Sequence, residues 1–211
     1  MSRRISDSTI RRLSHYLRAL EDLEADRTTT VSSEQLARRG GTTAAQVRKD
    51  LSHFGSFGKR GLGYAVPELA GRLRRILGVD RTWRVVLVGA GRIGSALFEY
   101  PNFAARGFEC VGVVDADPEK VGQRWGDLVI RPASDLESVI RSGKVDLAIV
   151  AVPAGAAQEV ADRAVAAGAR GILNFAPTQL RVPDHVPVTD VNLVMEMEAL
   201  SFAITKGRKG S

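Results

Sequence analysis

Cysteine occurs once, at Cys110, and histidine three times, at His15, His53 and His185. A single thiol cannot close an intrachain disulfide, and so few soft ligands argue against a Cys/His metal site. Aromatic residues make up only 6% of the 211 positions, and no apolar run approaches the roughly 18–20 residues that cross a bilayer. The opening MSRRISDSTIRR has no apolar core of the kind a secretion signal needs. These absences predict a cytoplasmic protein with no membrane and no metal among its partners.

What is present is unevenly distributed. Residues 1–82 carry 16 Lys/Arg against 9 Asp/Glu, and residues 83–211 carry 14 against 15, so the two parts stand at +7 and −1. A short basic module beside a neutral one is the electrostatic footprint of a polyanion binder, because neutralised phosphates release condensed counterions.

The N-terminal part reads as helices. From Asp7 to about Ala25, Ile10, Leu13, Leu17, Leu20 and Leu23 recur on one helix face. Ser32 with Gln35, and Thr43 with Gln46, have capping-box spacing, the first opening SSEQLARR before Gly40-Gly41 and the second opening TAAQVRKDLSHF. Helix, glycine turn, helix is the helix-turn-helix pattern. GSFGKRGLGYAVP then reads as a short hairpin or wing, and a further helix is predicted from about Pro67 to Leu77. On the second helix of the motif Val47, Leu51 and Phe54 face inward, which turns Gln46, Lys49, Ser52 and His53 outward. Gln46 and Lys49 have donors for base edges, Arg48 flanks toward phosphates, and Lys59-Arg60 sit on the glycine-framed wing. Asp50 borders the core, where an intrachain partner suits it better than a base.

From Trp83 onward the runs VVLVG, CVGVVD, DLAIVAV and GILNF are short and Val/Ile-rich, as strands buried on both faces are. Helical stretches separate them at 93–100, 134–141 and 154–167. Alternation of this kind predicts a doubly wound parallel sheet. After the first strand stands Gly89-Ala90-Gly91-Arg92-Ile93-Gly94, followed by a helix, a second strand and Asp115, 21 residues past Gly94. This is the dinucleotide fingerprint in its proper setting. Gly89 permits the turn, Gly91 admits a pyrophosphate and Gly94 allows close helix packing, while Asp115 would accept from an adenosine ribose and repel a 2′-phosphate. NAD(H) is therefore favoured over NADP(H), and coenzyme A stays open, since the same sheet serves it. Only about 35 residues follow GILNF, too few for a substrate domain. His185 and Cys110 have no partner at readable spacing, so a nucleotide-binding switch is favoured over an enzyme and no catalytic residue is expected. The last segment, NLVMEMEALSFAI, is helix-compatible with an apolar stripe (Val194, Met197, Leu200, Ile204) that needs a cover.

The segments QVRKDLSHFGSFGKRGLGY, VGAGRIGSALFEYP and GILNFAP, with an LSFAI-type end, resemble the redox-sensing transcriptional repressors of the Rex family. The resemblance runs over nearly the whole chain. It implies a winged helix-turn-helix domain over 1–80 and a Rossmann-like domain over 81–211, in a homodimer whose last helix is exchanged between subunits. It also implies repression of respiratory and fermentative genes, through palindromic double-stranded operators that are bound when NADH is scarce and released when NADH, the effector, is abundant. The family pattern falls on Arg48, Lys49, Lys59, Arg60 and Gly61 for DNA, and on Gly89, Gly91, Arg92, Gly94 and Asp115 for the dinucleotide. Tyr100 matches a residue that changes surroundings with redox state. A switch arginine matches Arg18, but its acidic partner falls at Asn192, which has no charge, and Asp190 is the acid that would stand in for it.

Overall fold

The computed structural model describes residues 5–55, 57–58 and 63–207. The chain divides into two compact units, Met1–Arg81 and Thr82–Ser211.

The first unit is built from α1 (Asp7–Ala25), β1 (Thr30–Val31), α2 (Ser33–Arg39), α3 (Ala44–Ser52), β2 (Tyr64–Ala65) and α4 (Val66–Leu77). Its core joins Leu13, Tyr16, Leu17 and Leu20 of α1 to Leu36, Val47 and Leu51 of the helix-turn-helix and to Leu69 and Leu73 of α4. Each such leucine contributes about 1.5–3 kcal/mol on leaving water. Ile10, assigned to the apolar face by its spacing, is 44% exposed, and Tyr16 is fully buried in its place. The capping box at Ser32/Gln35 closes in both directions. The one expected at Thr43/Gln46 is half made: Thr43 accepts from the Gln46 N–H, but the Gln46 amide turns away to Asp50. β2, at the end of the expected hairpin or wing, pairs antiparallel with β1, from before the helix-turn-helix, with Val31 opposite Tyr64, and the tip of that wing, 59–62, lies outside the described residues.

The second unit contains a seven-stranded sheet in the order β5-β6-β4-β3-β7-β8-β9. The strands are β3 (Trp83–Val88), β4 (Phe108–Asp115), β5 (Arg124–Trp125), β6 (Leu128–Pro132), β7 (Leu147–Val150), β8 (Gly171–Asn174) and β9 (Val188–Asp190). All pair parallel except β5, which runs antiparallel to β6. Leaving out β5, the order is that of a doubly wound dinucleotide fold, with its topological switch between β3 and β7. The helices are α5 (Arg92–Phe98), α6 (Pro101–Ala105), α7 (Leu136–Gly143), α8 (Ala154–Ala167) and α9 (Leu193–Gly207).

The two sheet faces are treated differently. Val86, Val88, Ala148, Val150 and Ile172 pack under α7 and α8. On the opposite face Val85, Leu87, Leu147, Ile149 and Leu173 meet α5 and α6 only at one side, leaving an apolar trough of about 600 Å³. α9 lies exposed along its described length, with Leu193, Met197, Leu200, Phe202 and Ile204 all more than half accessible.

Candidate functional site

Gly89 leaves β3 with φ +102°, and a Cβ there would run into the carbonyl oxygen of Ala151, across the switch point. Gly94 is tighter still, its missing Cβ falling almost on the Gly89 oxygen. Both glycines are therefore demanded by backbone packing. Gly91, the N-cap of α5, differs: nothing lies within 4 Å of where its Cβ would be, so the space in front of it is open. The loop thus presents unpaired N–H groups and the positive end of a short helix toward that space, with Arg92 and Ile93 exposed at its rim.

Asp115 ends β4 beneath the same loop. Its Oδ2 accepts from the Ala90 N–H at 2.5 Å and its Oδ1 from the Asp117 N–H at 2.8 Å. The carboxylate fixes the glycine loop. Lys120, which sequence reasoning passed over, places Nζ 3.6 Å from Asp115 and 3.3 Å from Asp117. Burial alone would lower the Lys120 pKa, but these two acids outweigh it and hold the ammonium above its ordinary value.

At the same, C-terminal edge of the sheet Asn174 is fully buried. It donates to Thr178 O at 2.8 Å and to Asp190 Oδ1 at 2.7 Å, and it accepts from the Ala176 N–H at 3.0 Å. Asn174 was visible only as one letter of GILNFAP. Asn192 caps α9, accepting from the Val194 N–H at 3.0 Å and the Met195 N–H at 3.3 Å, so the asparagine has a structural task of its own. Tyr100 is the N-cap of α6 and 47% exposed. Its ring meets Phe103 edge-on at 5.2 Å and its hydroxyl accepts from Asn102 at 2.9 Å. Cys110 lines the apolar trough, where burial raises its thiol pKa and keeps it an unreactive wall.

In the first unit, α3 exposes Arg48, Lys49, Ser52 and His53. Arg48 reaches Ser33 at 3.1 Å and Glu34 at 3.4 Å, and the Ser52 hydroxyl donates to the Lys49 carbonyl at 2.7 Å. One hydrogen of the Gln46 amide is committed within the helix: its Nε2 donates to Asp50 Oδ1 at 2.7 Å. Arg18 lies exposed on α1. Lys59, Arg60 and Gly61 lie outside the described residues. Among those described, no group of three His, Cys, Asp or Glu side chains is arranged to hold a metal, and no helix is long and apolar enough to cross a membrane.

A helix-turn-helix unit and a dinucleotide-type sheet in one chain define a ligand-responsive DNA-binding protein. The comparisons with known proteins agree. A family described as "CoA binding domain" matches residues 80–178, and one described as "Putative DNA-binding protein N-terminus" matches residues 4–52. The redox-sensing transcriptional repressor Rex of Carboxydothermus hydrogenoformans is 50% identical over 203 residues, 96% of this chain and 98% of that protein. That of Thermus thermophilus is 49% identical, covering 95% and 94%. A crystal structure of RSP in complex with β-NAD+ and operator DNA superposes with a TM-score of 0.92 at 37% identity, over 97% of this chain and 94% of the other. RSP in complex with β-NADH gives 0.86 at 36% identity, over 97% and 96%. The chain belongs to the Rex family of redox-sensing transcriptional repressors.

Proposed function

We infer that this chain represses transcription according to the balance of NADH and NAD+, holding palindromic operators while NADH is scarce and leaving them when NADH binds. The observation that carries the reading is the open space before Gly91, framed by two glycines that backbone packing requires and underpinned by Asp115, in a chain that also carries a helix-turn-helix. Gly89, Ala90, Gly91, Arg92, Ile93 and Gly94 cradle the pyrophosphate, Asp115 accepts from the ribose, and Tyr100 stands near the redox-active end. The dinucleotide supplies the signal through its nicotinamide, whose charge and planarity change on reduction. Gln46, Arg48, Lys49 and Ser52, with Lys59, Arg60 and Gly61 of the wing, meet the operator. Arg18, Tyr100, Asp190 and Asn192 are the switch positions that the family pattern implies, with Asp190 accepting from Asn174 and Asn192 capping its helix.

The working form is a cytoplasmic homodimer with α9 exchanged. Parallel sheets are covered on both faces, yet here one face is left with an apolar trough while an apolar helix of the same chain stands exposed. A ligand shifts an equilibrium only through its differential affinity, so NADH must bind the released state more tightly than the operator-bound one.

Fluorescence anisotropy on a palindromic operator duplex at fixed salt tests this. NADH should weaken binding, whereas NAD+ should leave it nearly unchanged and coenzyme A should fail to displace NADH. Equal operator affinity in NADH and NAD+ would refute the reading.

A further inference from the structure

Asp50 is the only acid on the recognition helix α3, and it is fully buried. Its Oδ2 accepts from Arg12 Nε at 2.6 Å and from the Tyr16 hydroxyl at 2.9 Å. Its Oδ1 accepts from Arg12 Nη2 at 2.7 Å and from Gln46 Nε2 at 2.7 Å. An ionised carboxylate has about four acceptor sites, so these four donors saturate it. Asp50 has nothing left to offer a base, and its influence on recognition must pass through what it holds.

Three of those donors fasten α3 to α1. Arg12 grips both oxygens, and the Tyr16 ring fills the floor of the helix-turn-helix turn, where a Cβ on Gly40 would stand only 2.8 Å from Cε1. The fourth donor is different, because Gln46 lies one turn before Asp50 at the edge of the DNA-facing surface. A carboxylate can only accept, so the amide must turn Nε2 inward, and its orientation is fixed. Oε1 and the second Nε2 hydrogen stay available. An acceptor beside a donor is the pair with which glutamine reads the N6/N7 edge of adenine in the major groove. Stability alone explains the arrangement poorly, since buried ion pairs often stabilise no more than apolar residues of the same volume.

We propose that Asp50 is a positioning residue for operator recognition, holding Gln46 so that its amide edge reads one adenine in each half-site. The proposal rests on Gln46 being a base reader and adds which residue orients it and which base it selects.

The probe is a duplex recovered from a randomised pool by the wild-type chain, together with its single-base-pair variants, with affinities measured by anisotropy at one salt concentration. Gln46→Ala should flatten the preference at one A·T pair per half-site, a loss of about 5- to 150-fold in discrimination there. Asp50→Asn should flatten the same pair and spare the others. Because removing one member of a buried pair can unfold the unit, the double variant Arg12→Met/Asp50→Leu removes both charges together and should give the same position-specific loss. Asp50 variants that weaken every position alike, or leave the profile unchanged while Gln46→Ala alters it, would overturn the positioning role. A Gln46→Ala profile identical to wild type would remove the base-reading premise itself, whatever Asp50 does.

Discussion

At the scale of single residues, the three fingerprint glycines have separable tasks, which makes them a sharp test of the nucleotide site. A Cβ at Gly94 meets a backbone oxygen that cannot swing aside, whereas one at Gly91 meets nothing. Gly94→Ala should therefore cost about 1–3 kcal/mol of stability in the second unit through overpacking, seen as a lower Tm without any ligand. Gly91→Val should leave the ligand-free Tm nearly unchanged and still weaken NADH binding by roughly tenfold or more, because the branched side chain would fill the open space in which the pyrophosphate is proposed to lie. Equal NADH affinity for Gly91→Val and wild type by calorimetric titration would move the dinucleotide elsewhere. The spacing of the glycines was legible in the sequence. That Asp115 braces Ala90 was not, because a hydrogen bond between residues 25 positions apart leaves no local trace. Lys120 was hidden for a related reason: its pairing with Asp115 depends on the turn that follows β4.

At the scale of elements, the helices that announced themselves were those with their own caps and a full apolar period. α1 begins and ends where its spacing predicted, α2 closes its capping box, and α8 matches its predicted span. The parallel strands at the centre of the sheet were legible as Val/Ile runs. β1, β5 and β9 were not, because two or three residues carry no periodicity and are strands only by virtue of a distant partner. The α7–α8 contact is of the same long-range kind: Arg163 holds Glu137 through Nε at 2.6 Å and Nη2 at 2.8 Å, and also donates to Ala133 O at 2.9 Å. The guanidinium, chiefly by hydrogen bonding, lowers the Glu137 pKa to about 2. A carboxyl whose folded pKa is depressed contributes stability that is fully present above its unfolded pKa, about 4.3, and is lost as pH falls through the folded value. Wild type should thus lose this contribution between about pH 4.3 and 2, and Glu137→Gln should show a shallower decline over that window in acid titration followed by circular dichroism. Both side chains are partly exposed, so the difference should be no more than about 1 kcal/mol. Identical acid profiles would mean that the pair contributes nothing.

At the scale of the molecule, the unresolved demand of the second unit is area. The trough is walled by Leu87, Leu147, Ile149 and Leu173 on the sheet and by Leu97 and Phe103 on α5 and α6. Exposed apolar patches of this kind mark interaction sites. α9 offers the complementary apolar surface, with Met197 63% and Leu200 57% exposed. Exchange of one helix between identical chains, as proposed above, would satisfy both at once and yield the two-fold symmetry that a palindromic operator requires, since each half-site must meet one recognition helix. Met197→Glu combined with Leu200→Glu places two charges on the apolar face of α9, and in solution this variant should scatter light as a monomer where wild type should scatter as a dimer. Its operator affinity should fall by at least about tenfold, because one half-site contact is lost. Weak, salt-dependent binding to unrelated DNA should survive, since the basic first unit is untouched. A double variant that remains dimeric and binds the operator as wild type does would show that α9 is not the cover of the trough.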